Sequence, residues 1–230
     1  MNNALNPESD DDTNLLLDNY IEINRLAFDQ LSSDYLNRAN SKSVYETPAS
    51  VLIAHVLDFF DSGTGLEVLE VGPGSGEALS VFQANCCVTT AVELSEAIIK
   101  IAITKSPHTK FIRGNILDSN FDDRQFDIIF AGALIHLFPK QHANKLLTLF
   151  ANWLKKDGVL FISTTVNDLA EEGFFIKSDY NHAVTRFRKK WTEPEFKSFI
   201  EDRFDIVKTI HTNETDRDKK WVAHLCKHRI

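Results

Sequence analysis

Short apolar runs alternate with stretches of helical periodicity along the chain from residue 66 onward. Segments such as FDIIFAGAL and GVLFIST are apolar at odd and even positions alike, as strands covered on both faces of a parallel sheet require. The pattern predicts strands at 66–71, 88–93, 110–113, 126–130 and 159–165, with helices at 76–84, 95–105 and 140–154 between most of them. Right-handed crossovers would join these elements into an α/β fold with a doubly wound, mostly parallel sheet.

Two more strands are predicted near the C-terminus, at 204–210 and 220–226. The polar stretch HTNETDRD joins them, so we expect them to pair antiparallel at one edge and to complete a seven-stranded, Rossmann-like sheet. Before them, WTEPEF is typical of a capping box, in which the Thr192 side chain reaches the backbone of Glu195 and Glu195 reaches back. We expect this box to open a helix that ends near Glu201.

The chain before residue 63 has a helical pattern instead. Apolar residues recur at helical spacing between 16 and 31, which predicts an amphipathic helix over about 15–36. A second helix is expected to run to about Phe60, with Thr47 as its cap and Pro48 in its first turn. The first fourteen residues are polar and acidic, so we predict a disordered tail over 1–14. The chain thus divides into this tail, a helical segment at 15–62 and an α/β domain at 63–230.

Composition narrows the class of protein. The 230 residues are 43% hydrophobic and 25% charged, as in an ordinary globular domain, and no apolar run is long enough to span a bilayer. The N-terminus lacks a secretory signal pattern, so we expect a cytoplasmic protein without a membrane partner. A net charge of −8 disfavours a nucleic-acid partner, because a phosphate-tracking surface is basic. Cys86, Cys87 and Cys226 form neither a disulfide framework nor a metal-binding spacing, and we predict no metal site.

A glycine-rich loop follows the first predicted strand. Gly72, Gly74 and Gly76 give the spacing GxGxG at the carboxyl end of that strand, where open α/β sheets bind ligands. Glycine content alone leaves phosphate, dinucleotide and adenosine ligands open. Glu77 stands where the dinucleotide fingerprint needs glycine or alanine, and its carboxylate would repel a diphosphate. No lysine follows as in a P-loop.

An acidic residue also ends the second predicted strand. Glu93 could accept hydrogen bonds from both ribose hydroxyls of an adenosine. Taken alone, Glu93 could equally be a cap for the helix that begins near Ser95. Its position after a glycine loop favours the ribose interpretation.

Five segments together resemble a known family. EVLEVGPGSGEAL, AVELSEAII, FIRGNILDSNF, FDIIFAGALIHLFP and WLKKDGVLFISTT stand in the order and spacing of the motifs of class I S-adenosylmethionine-dependent methyltransferases. The resemblance covers about 66–165 well and the C-terminal strands moderately. The first 60 residues loosely resemble the helical N-terminal segment of members that act on small molecules.

The resemblance implies S-adenosylmethionine as cofactor and assigns it a binding site. Glu70 and the glycine loop would face its methionine part, and Glu93 its ribose. Asn115, where the family usually has Asp, would accept from the adenine amino group. The cofactor-binding residues implied are Glu70, Gly72, Gly74, Gly76, Glu93, Leu94, Asn115, Ile116, Ala131 and Gly132, of which Ala131 and Gly132 would offer carbonyls to the methionine ammonium.

An acceptor site is expected beside the methyl group. His136 follows the fourth strand and is a candidate general base, with inert packing at a helix start as the alternative. In similar enzymes the N-terminal segment and an insertion after the fifth strand, here about 166–190, form a lid over the substrate. The candidate substrate-binding residues from these regions are Tyr35, Tyr45, Phe174, Phe175, Tyr180, His182 and Arg186. The alternatives are that Phe174 and Phe175 cover the sheet and that RFRKK, residues 186–190, is a solvated face.

The resemblance therefore implies an enzyme that transfers a methyl group from S-adenosylmethionine to an oxygen or nitrogen of a small-molecule acceptor. Because AGAL stands where base and glutamine methyltransferases have an NPPY-like tetrad, a protein or RNA acceptor is the alternative and not the first expectation. A non-catalytic cofactor-binding subunit is the other alternative, against which the intact glycines and Glu93 argue.

Overall fold

A seven-stranded twisted sheet organises the protein. The computed structural model describes residues 19–40, 48–177, 183–214 and 219–229. Its strands are β1 (Glu67–Val71), β2 (Val88–Glu93), β3 (Lys110–Arg113), β4 (Phe126–Ala131), β5 (Leu154–Thr165), β6 (Glu171–Lys177), β7 (Val184–Lys190), β8 (Phe204–Glu214) and β9 (Lys219–His228). The large sheet has the order β3-β2-β1-β4-β5-β9-β8, and β6 pairs with β7 in a separate hairpin.

Strand directions confirm the predicted fold class. The first five strands pair in parallel, whereas β9 is antiparallel to both β5 and β8. The order of strands reverses between β1 and β4, so β1 and β4 flank the point where a doubly wound sheet forms its ligand crevice. The fold is the expected Rossmann-like α/β sheet with an antiparallel C-terminal edge.

Six helices are described around this sheet. They are α1 (Tyr20–Asn40), α2 (Ala49–Leu57), α3 (Glu77–Ala84), α4 (Glu96–Lys105), α5 (Lys140–Trp153) and α6 (Glu193–Glu201). Single 3₁₀ turns at Ile116–Asp118 and Ile135–Leu137 follow β3 and β4. α1 packs against β7 and α4 and so crosses the carboxyl end of the sheet. None of the described helices combines the length and the apolar character needed to cross a membrane.

Apolar side chains bury both faces of the sheet. Successive residues of a strand point to opposite faces, and Val68 and Leu69 of β1 are both fully buried. Val68 belongs to a cluster beneath α2 and α3, while Leu69 belongs to a larger cluster with α5 and α6. This double burial explains why the central strands are continuously apolar in the sequence.

Element boundaries differ from the prediction at several places. β5 begins at Leu154 and not at 159, because Leu154 pairs with Phe126 ahead of an irregularity in the ladder. α1 extends to Asn40, and Pro48 is the N-cap of α2 and not a residue of its first turn. Thr47 and the predicted tail, 1–14, lie outside the described residues.

The capping box of α6 is half formed. The Thr192 hydroxyl accepts a hydrogen bond from the Glu195 backbone N–H at 3.3 Å, as expected. The Glu195 carboxylate does not return the bond, because it accepts from the ammonium groups of Lys140 and Lys189 instead. This ion pairing ties α6 to α5 and to β7.

Candidate active site

A cavity of about 560 Å³ lies at the carboxyl ends of the parallel strands. Its walls come from the loops after β1, β2, β3 and β4, from α1 and α2, from the β6–β7 hairpin and from β8 and β9. A crevice outside the carboxyl ends, at the switch in strand order, is where open α/β sheets bind ligands. The cavity is therefore the candidate active site.

The glycine loop forms one wall of the cavity and depends on left-handed backbone. Gly72 and Gly74 have φ values of +69° and +54°, which glycine adopts without the strain of a Cβ atom. A Cβ on Gly72 would also lie 3.1 Å from Leu134 Cδ1. Both residues line the cavity, and so the loop exposes its backbone to whatever binds there.

Gly76 has a different role from the other two glycines. It is the N-cap of α3 with φ +86°, and it is not among the residues that line the cavity. A Cβ at this position would lie 3.0 Å from the Ala102 carbonyl oxygen on α4. The glycine thus allows the start of α3 to approach α4 closely, which is a packing requirement.

Glu70, just before the loop, is a buried acid with an incomplete set of partners. Its side chain accepts a hydrogen bond from the Leu79 backbone, but its Oε2 atom is buried and has no hydrogen-bond partner among the described residues. Burial and the nearby Glu77 carboxylate raise the pKa of Glu70 well above its usual range. An unpartnered buried acceptor is costly, so this position fits a ligand that brings a donor or a positive charge.

Glu77 does not carry an uncompensated charge into the cavity. Its carboxylate accepts hydrogen bonds from the Lys105 ammonium and from the Ser75 hydroxyl. Lys105 comes from the last turn of α4, so this pair links the two helices that Gly76 brings together. The pairing of Glu77 with Lys105 was not predicted from the sequence.

Glu93 is held at the end of β2 by the start of α4. Its Oε1 atom accepts a hydrogen bond from the Ser95 backbone N–H at 2.8 Å, and the residue is 9% exposed. Burial raises the pKa of Glu93 to about 7, against the lowering effect of the Ser95 and Leu94 backbone hydrogen bonds and with a small contribution from Asp29. Ser95 is the cap of α4, since its hydroxyl accepts from the Ile98 N–H at 3.1 Å. Glu93 and Leu94 both line the cavity.

α1 is connected to this corner through Asp29. The Ser95 hydroxyl donates to Asp29 Oδ1 at 2.5 Å, and Asp29 also pairs with Arg25 on the same helix. A helix that sequence analysis placed in a separate segment therefore reaches the same corner as Glu93.

Asn115 is engaged in local structure at the cavity wall. Its Oδ1 atom accepts from the Leu117 N–H at 3.1 Å and so caps the 3₁₀ turn, while its Nδ2 donates to Asp118 at 3.0 Å. Asn115 and the buried Ile116 line the cavity. The carbonyl oxygen retains a second lone pair, with which the predicted adenine contact would have to be made.

The loop after β4 contributes Gly132 and Ala133, but not Ala131. Ala131 ends β4 with its side chain in the core and does not line the cavity. Ala133 has a left-handed backbone with φ +57°, unusual for a residue with a Cβ, and its N–H donates to Ser163 Oγ at 3.0 Å. Strained backbone of this kind concentrates at functional sites.

His136 lines the cavity from the 3₁₀ turn that follows β4. It is 3% exposed, its Nδ1 atom is 3.3 Å from the Thr164 hydroxyl, and its ring contacts Trp221 edge to face at 6.1 Å. Burial lowers the pKa of His136 well below its usual value, and Arg188, Arg186, Lys177 and Lys219 lower it further. The imidazole is neutral at physiological pH.

Four cationic residues line the cavity around His136, and we call them the cationic wall: Lys177, Arg186, Arg188 and Lys219. Sequence analysis identified only Arg186. The prediction that RFRKK could be a solvated face is wrong for Arg186, which is 6% exposed. The sequence did contain a signal for Arg188. It lies two residues after Arg186 within β7, and residues two apart point to the same face of a strand.

Among the aromatic candidates that the structure describes, Tyr35 lines the cavity, whereas Phe174 and Phe175 do not. Tyr35 lines the cavity, together with Phe28 and Trp221, which sequence analysis did not single out. Phe174 lies outside the cavity wall because its ring packs on Phe187 at 5.6 Å, on the core side of the hairpin. Phe175 also lies outside it, with the Lys190 ammonium 4.0 Å from its ring centroid. Tyr45, Tyr180 and His182 lie outside the described residues.

No cluster suited to a metal ion is present in the described part of the chain. Within it, no three histidine, cysteine or acidic side chains are grouped so that they could hold an ion. The polar groups of the cavity are instead a glycine-loop backbone, two buried glutamates and the cationic wall. These groups suit an organic ligand with a positive end and hydroxyls.

Comparison with protein families gives one match. Residues 69–162 match the family model described as "Methyltransferase domain". The matched segment begins in β1 and ends in β5, and it therefore includes the glycine loop, Glu93, Asn115 and His136. Among curated proteins, none matches the sequence.

Solved structures share the whole fold at low sequence identity. The 1,6-didemethyltoxoflavin-N1-methyltransferase of Burkholderia thailandensis, solved with 1,6-didemethyltoxoflavin and S-adenosylhomocysteine bound, has a TM-score of 0.75 at 17% identity over 100% of this chain and 95% of its own. A methyltransferase of Methanosarcina mazei has a TM-score of 0.65 at 19% identity over 77% and 98% of the two chains. The [4+2]-cyclase SpnF has a TM-score of 0.66 at 14% identity over 90% and 95%. Because a cyclase shares the fold, the fold by itself does not define the reaction.

Proposed function

We propose that the chain is a class I S-adenosylmethionine-dependent methyltransferase that transfers the cofactor's methyl group to an oxygen or nitrogen atom of a small-molecule acceptor, since residues 69–162 match a methyltransferase domain. Bound S-adenosylmethionine supplies a methyl group that its sulfonium already activates, so the protein needs no nucleophile of its own. The residues of this chain act by holding the two reactants in line and by excluding water.

The cofactor end of the cavity fits this group in three respects. The open backbone at Gly72 and Gly74 would accept a chain-like methionine part, and the unpartnered Oε2 of Glu70 would receive a donor from it. Glu93, at the tip of the neighbouring strand, would accept the ribose hydroxyls. Ile116 and Leu94 would flank the adenine between them, as the lining of the cavity suggests.

One observation carries the small-molecule part of the proposal. The cavity continues from the glycine loop to the cationic wall, and at that end it is bounded by the hairpin, by β8 and β9 and by α1. Its total volume of about 560 Å³ lies in the usual range for small-ligand sites. An acceptor that reaches the methyl group here must be small enough to lie among these elements.

The fold neighbour from Burkholderia thailandensis supports the same acceptor class. That protein binds a small heterocyclic acceptor and S-adenosylhomocysteine, and its structure matches this chain over its whole length. A protein or RNA acceptor has no comparable support, since Arg186 and Lys177 are buried in the cavity wall, and the half-buried Arg188 and Lys219 do not by themselves form an open basic surface.

The test is methyl transfer from labelled S-adenosylmethionine to a cell extract separated by size. We expect label in the small-molecule fraction, and less of it at limiting cofactor concentration when Glu93→Ala replaces the wild-type protein. Label only in the protein or RNA fraction would replace the proposed acceptor class. Binding of S-adenosylhomocysteine without transfer to any fraction would favour a non-catalytic subunit.

A further inference from the structure

We propose that the acceptor end of the cavity binds an anionic group of the acceptor, a carboxylate or phosphate oxyanion, with Arg186 as its central ligand. The proposal rests on the proposed function, because it assigns a chemical class to the acceptor of that reaction. It concerns the cationic wall, whose residues are not used to hold the cofactor.

The geometry of the β6–β7 hairpin places the cations on one face. In β7, Arg186 and Arg188 alternate with Phe187, whose ring is fully buried in the core. In the ladder, Lys177 of β6 is opposite Val184, so it shares the face of Arg186. Lys219 enters the same end of the cavity from the start of β9. One side of the hairpin thus packs on the core, while the other packs on α1 through Val184 and presents charge to the cavity.

Burial of Arg186 needs a compensating charge. Arg186 is 6% exposed, although arginine is almost never that buried unless it is paired. Arg186 makes no ion pair within the described part of the chain; its guanidinium carbon lies 6.0 Å from the ring centroid of Phe28. A ring at this distance offsets only part of the desolvation of a guanidinium.

Other charged residues also line the cavity. They are the three further cations of the cationic wall and the carboxylates of Glu70, Glu77, Glu93 and Glu214. Glu214 Oε1 accepts from the Trp221 indole at 3.2 Å, and Arg188 donates to the Thr165 hydroxyl at 2.6 Å. An oxyanion bound beside the Arg186 guanidinium would meet a positive potential, whereas a cationic group placed there would be repelled.

The chemistry of arginine suits such a ligand. A guanidinium presents parallel N–H donors to two oxygens of a carboxylate or phosphate, which fixes orientation as well as position. Anchoring the acceptor at Arg186 would leave another atom of the same molecule to face the methyl group. The same positive potential also favours ionisation of an acidic hydroxyl or amide on the acceptor, and so it reduces the need for a protein base.

The test uses matched small probes and the wild-type protein loaded with S-adenosylhomocysteine. Benzoate, phenyl phosphate and the neutral isostere benzamide are titrated by calorimetry and by ligand-observed NMR. We expect one or both anions to bind at least about tenfold more tightly than benzamide, and the difference to shrink as salt is raised. Equal affinity of all three probes, or binding of none up to their solubility limits, would overturn the proposal.

Variants of Arg186 test whether the preference for anionic probes comes from the cationic wall. Arg186→Gln should abolish the preference for the anion, Arg186→Lys should retain part of it, and the matched control Lys190→Gln should leave it unchanged. Lys190 is on the same strand, but its ammonium pairs with Glu171 and lies over Phe175 outside the cavity wall. Full preference in a folded Arg186→Gln protein would contradict the proposal; if that protein does not fold, Lys177→Gln replaces it with the same expectation.

S-adenosylhomocysteine affinity separates this proposal from the proposed function. The Arg186→Gln protein should bind it as the wild type does, because Arg186 lies on β7 and not in the loops after β1, β2 and β3 to which the proposed function assigns the cofactor. If the wild-type protein shows no preference for anions but binds S-adenosylhomocysteine and transfers methyl groups, only the anionic acceptor is refuted. Failure of the wild-type protein to bind S-adenosylhomocysteine at all would refute the proposed function.

Discussion

At the scale of a single residue, the ionisation of Glu93 makes cofactor affinity depend on pH. Burial raises its pKa from 4.5 to about 7, so the folded protein without ligand holds a mixture of charged and neutral Glu93 near neutral pH. Only the carboxylate accepts two charge-assisted hydrogen bonds from the ribose hydroxyls. A ligand that makes these bonds therefore binds the ionised form, and affinity rises as pH rises through the pKa.

We predict that S-adenosylhomocysteine binds up to about tenfold more tightly at pH 8 than at pH 6 through Glu93. Glu93→Gln should remove this component of the pH dependence and weaken binding at pH 8 by roughly 1 to 3 kcal/mol, because it replaces charge-assisted bonds by neutral ones. Calorimetric titrations of both proteins across this pH range measure the effect. Identical pH profiles would show that Glu93 does not contact the ribose.

The environment of His136 makes it a poor proton acceptor. Its pKa is lowered well below the usual value by burial and by the cationic wall, so its imidazolium would be strongly disfavoured. A neutral imidazole can still accept a hydrogen bond from the acceptor. We therefore expect it to orient the acceptor and not to remove a proton.

The prediction is that His136→Gln lowers the turnover of the acceptor identified by the labelling screen by less than about tenfold, whereas general bases contribute a hundredfold or more. S-adenosylhomocysteine affinity should not change. A loss above about a hundredfold, with the disappearance of the acidic limb of the pH–rate profile, would instead identify His136 as a general base.

The sequence predicts the cofactor end of the site better than the acceptor end, for a local reason. Glu70, Gly72, Gly74 and Glu93 stand within or directly after a strand, so the strand–loop–helix pattern alone positions them. Lys177 and Lys219 line the cavity only because of a hairpin register and a distant antiparallel edge. Neither relation has a signature in the residues around these lysines.

At the scale of elements, α1 is the part whose role the sequence leaves least defined. Its buried face contains Tyr20, Ala27 and Leu31 at the predicted helical spacing, but also the polar Asn24. Asn24 donates to the Leu137 carbonyl at 3.1 Å and accepts from the Phe187 N–H at 2.8 Å. One side chain thus connects α1 to the turn after β4 and to the hairpin, and hydrophobic periodicity does not reveal it.

We predict that Asn24→Ala lowers the free energy of unfolding by about 1 to 3 kcal/mol, because it leaves a buried N–H and a carbonyl without partners. Gln30→Ala, at an exposed position of the same helix, is the control and should change stability by less than about 0.5 kcal/mol. Urea unfolding followed by tryptophan fluorescence measures both. Equal stability of the two variants would mean that water replaces Asn24 at this junction.

The hairpin itself was expected only as an insertion of unspecified structure at about 166–190. Its pattern is ambiguous in the sequence because one face is apolar, as at Phe174 and Phe187, whereas the other is charged and also buried. A charged face is normally assigned to solvent. The cavity that Lys177, Arg186 and Arg188 line becomes visible only in the folded structure.

At the scale of the whole molecule, the order and direction of the strands follow from the sequence, because each central strand is apolar on both faces and each crossover has one favoured hand. Buried histidines, however, make stability depend on pH in a way that patterning does not show. His224 on β9 is 1% exposed, and burial lowers its pKa to about 4. As pH falls below about 6.5, the unfolded chain binds a proton that the folded chain cannot accept, and stability is lost until about pH 4.

We predict that the free energy of unfolding falls by about 2 kcal/mol between pH 7 and pH 5 through His224 alone. His224→Gln should reduce the slope of stability against pH in this range, whereas the control His108→Gln, at an exposed site, should not. Thermal unfolding at a series of pH values is the measurement. A slope that is the same in all three proteins would show that His224 is protonated in the folded state.

The two contacts of α1 have a kinetic consequence for the turnover of the enzyme. Asp29 joins α1 to Ser95 beside Glu93, while the guanidinium carbon of Arg186 lies 6.0 Å from the ring of Phe28, the preceding residue of the helix. Neighbouring residues of one helix thus contact the corner expected to hold the cofactor and the arginine proposed to hold the acceptor. We expect that a movement of α1 which releases the methylated product also loosens the spent cofactor, so that the slower of the two departures limits turnover.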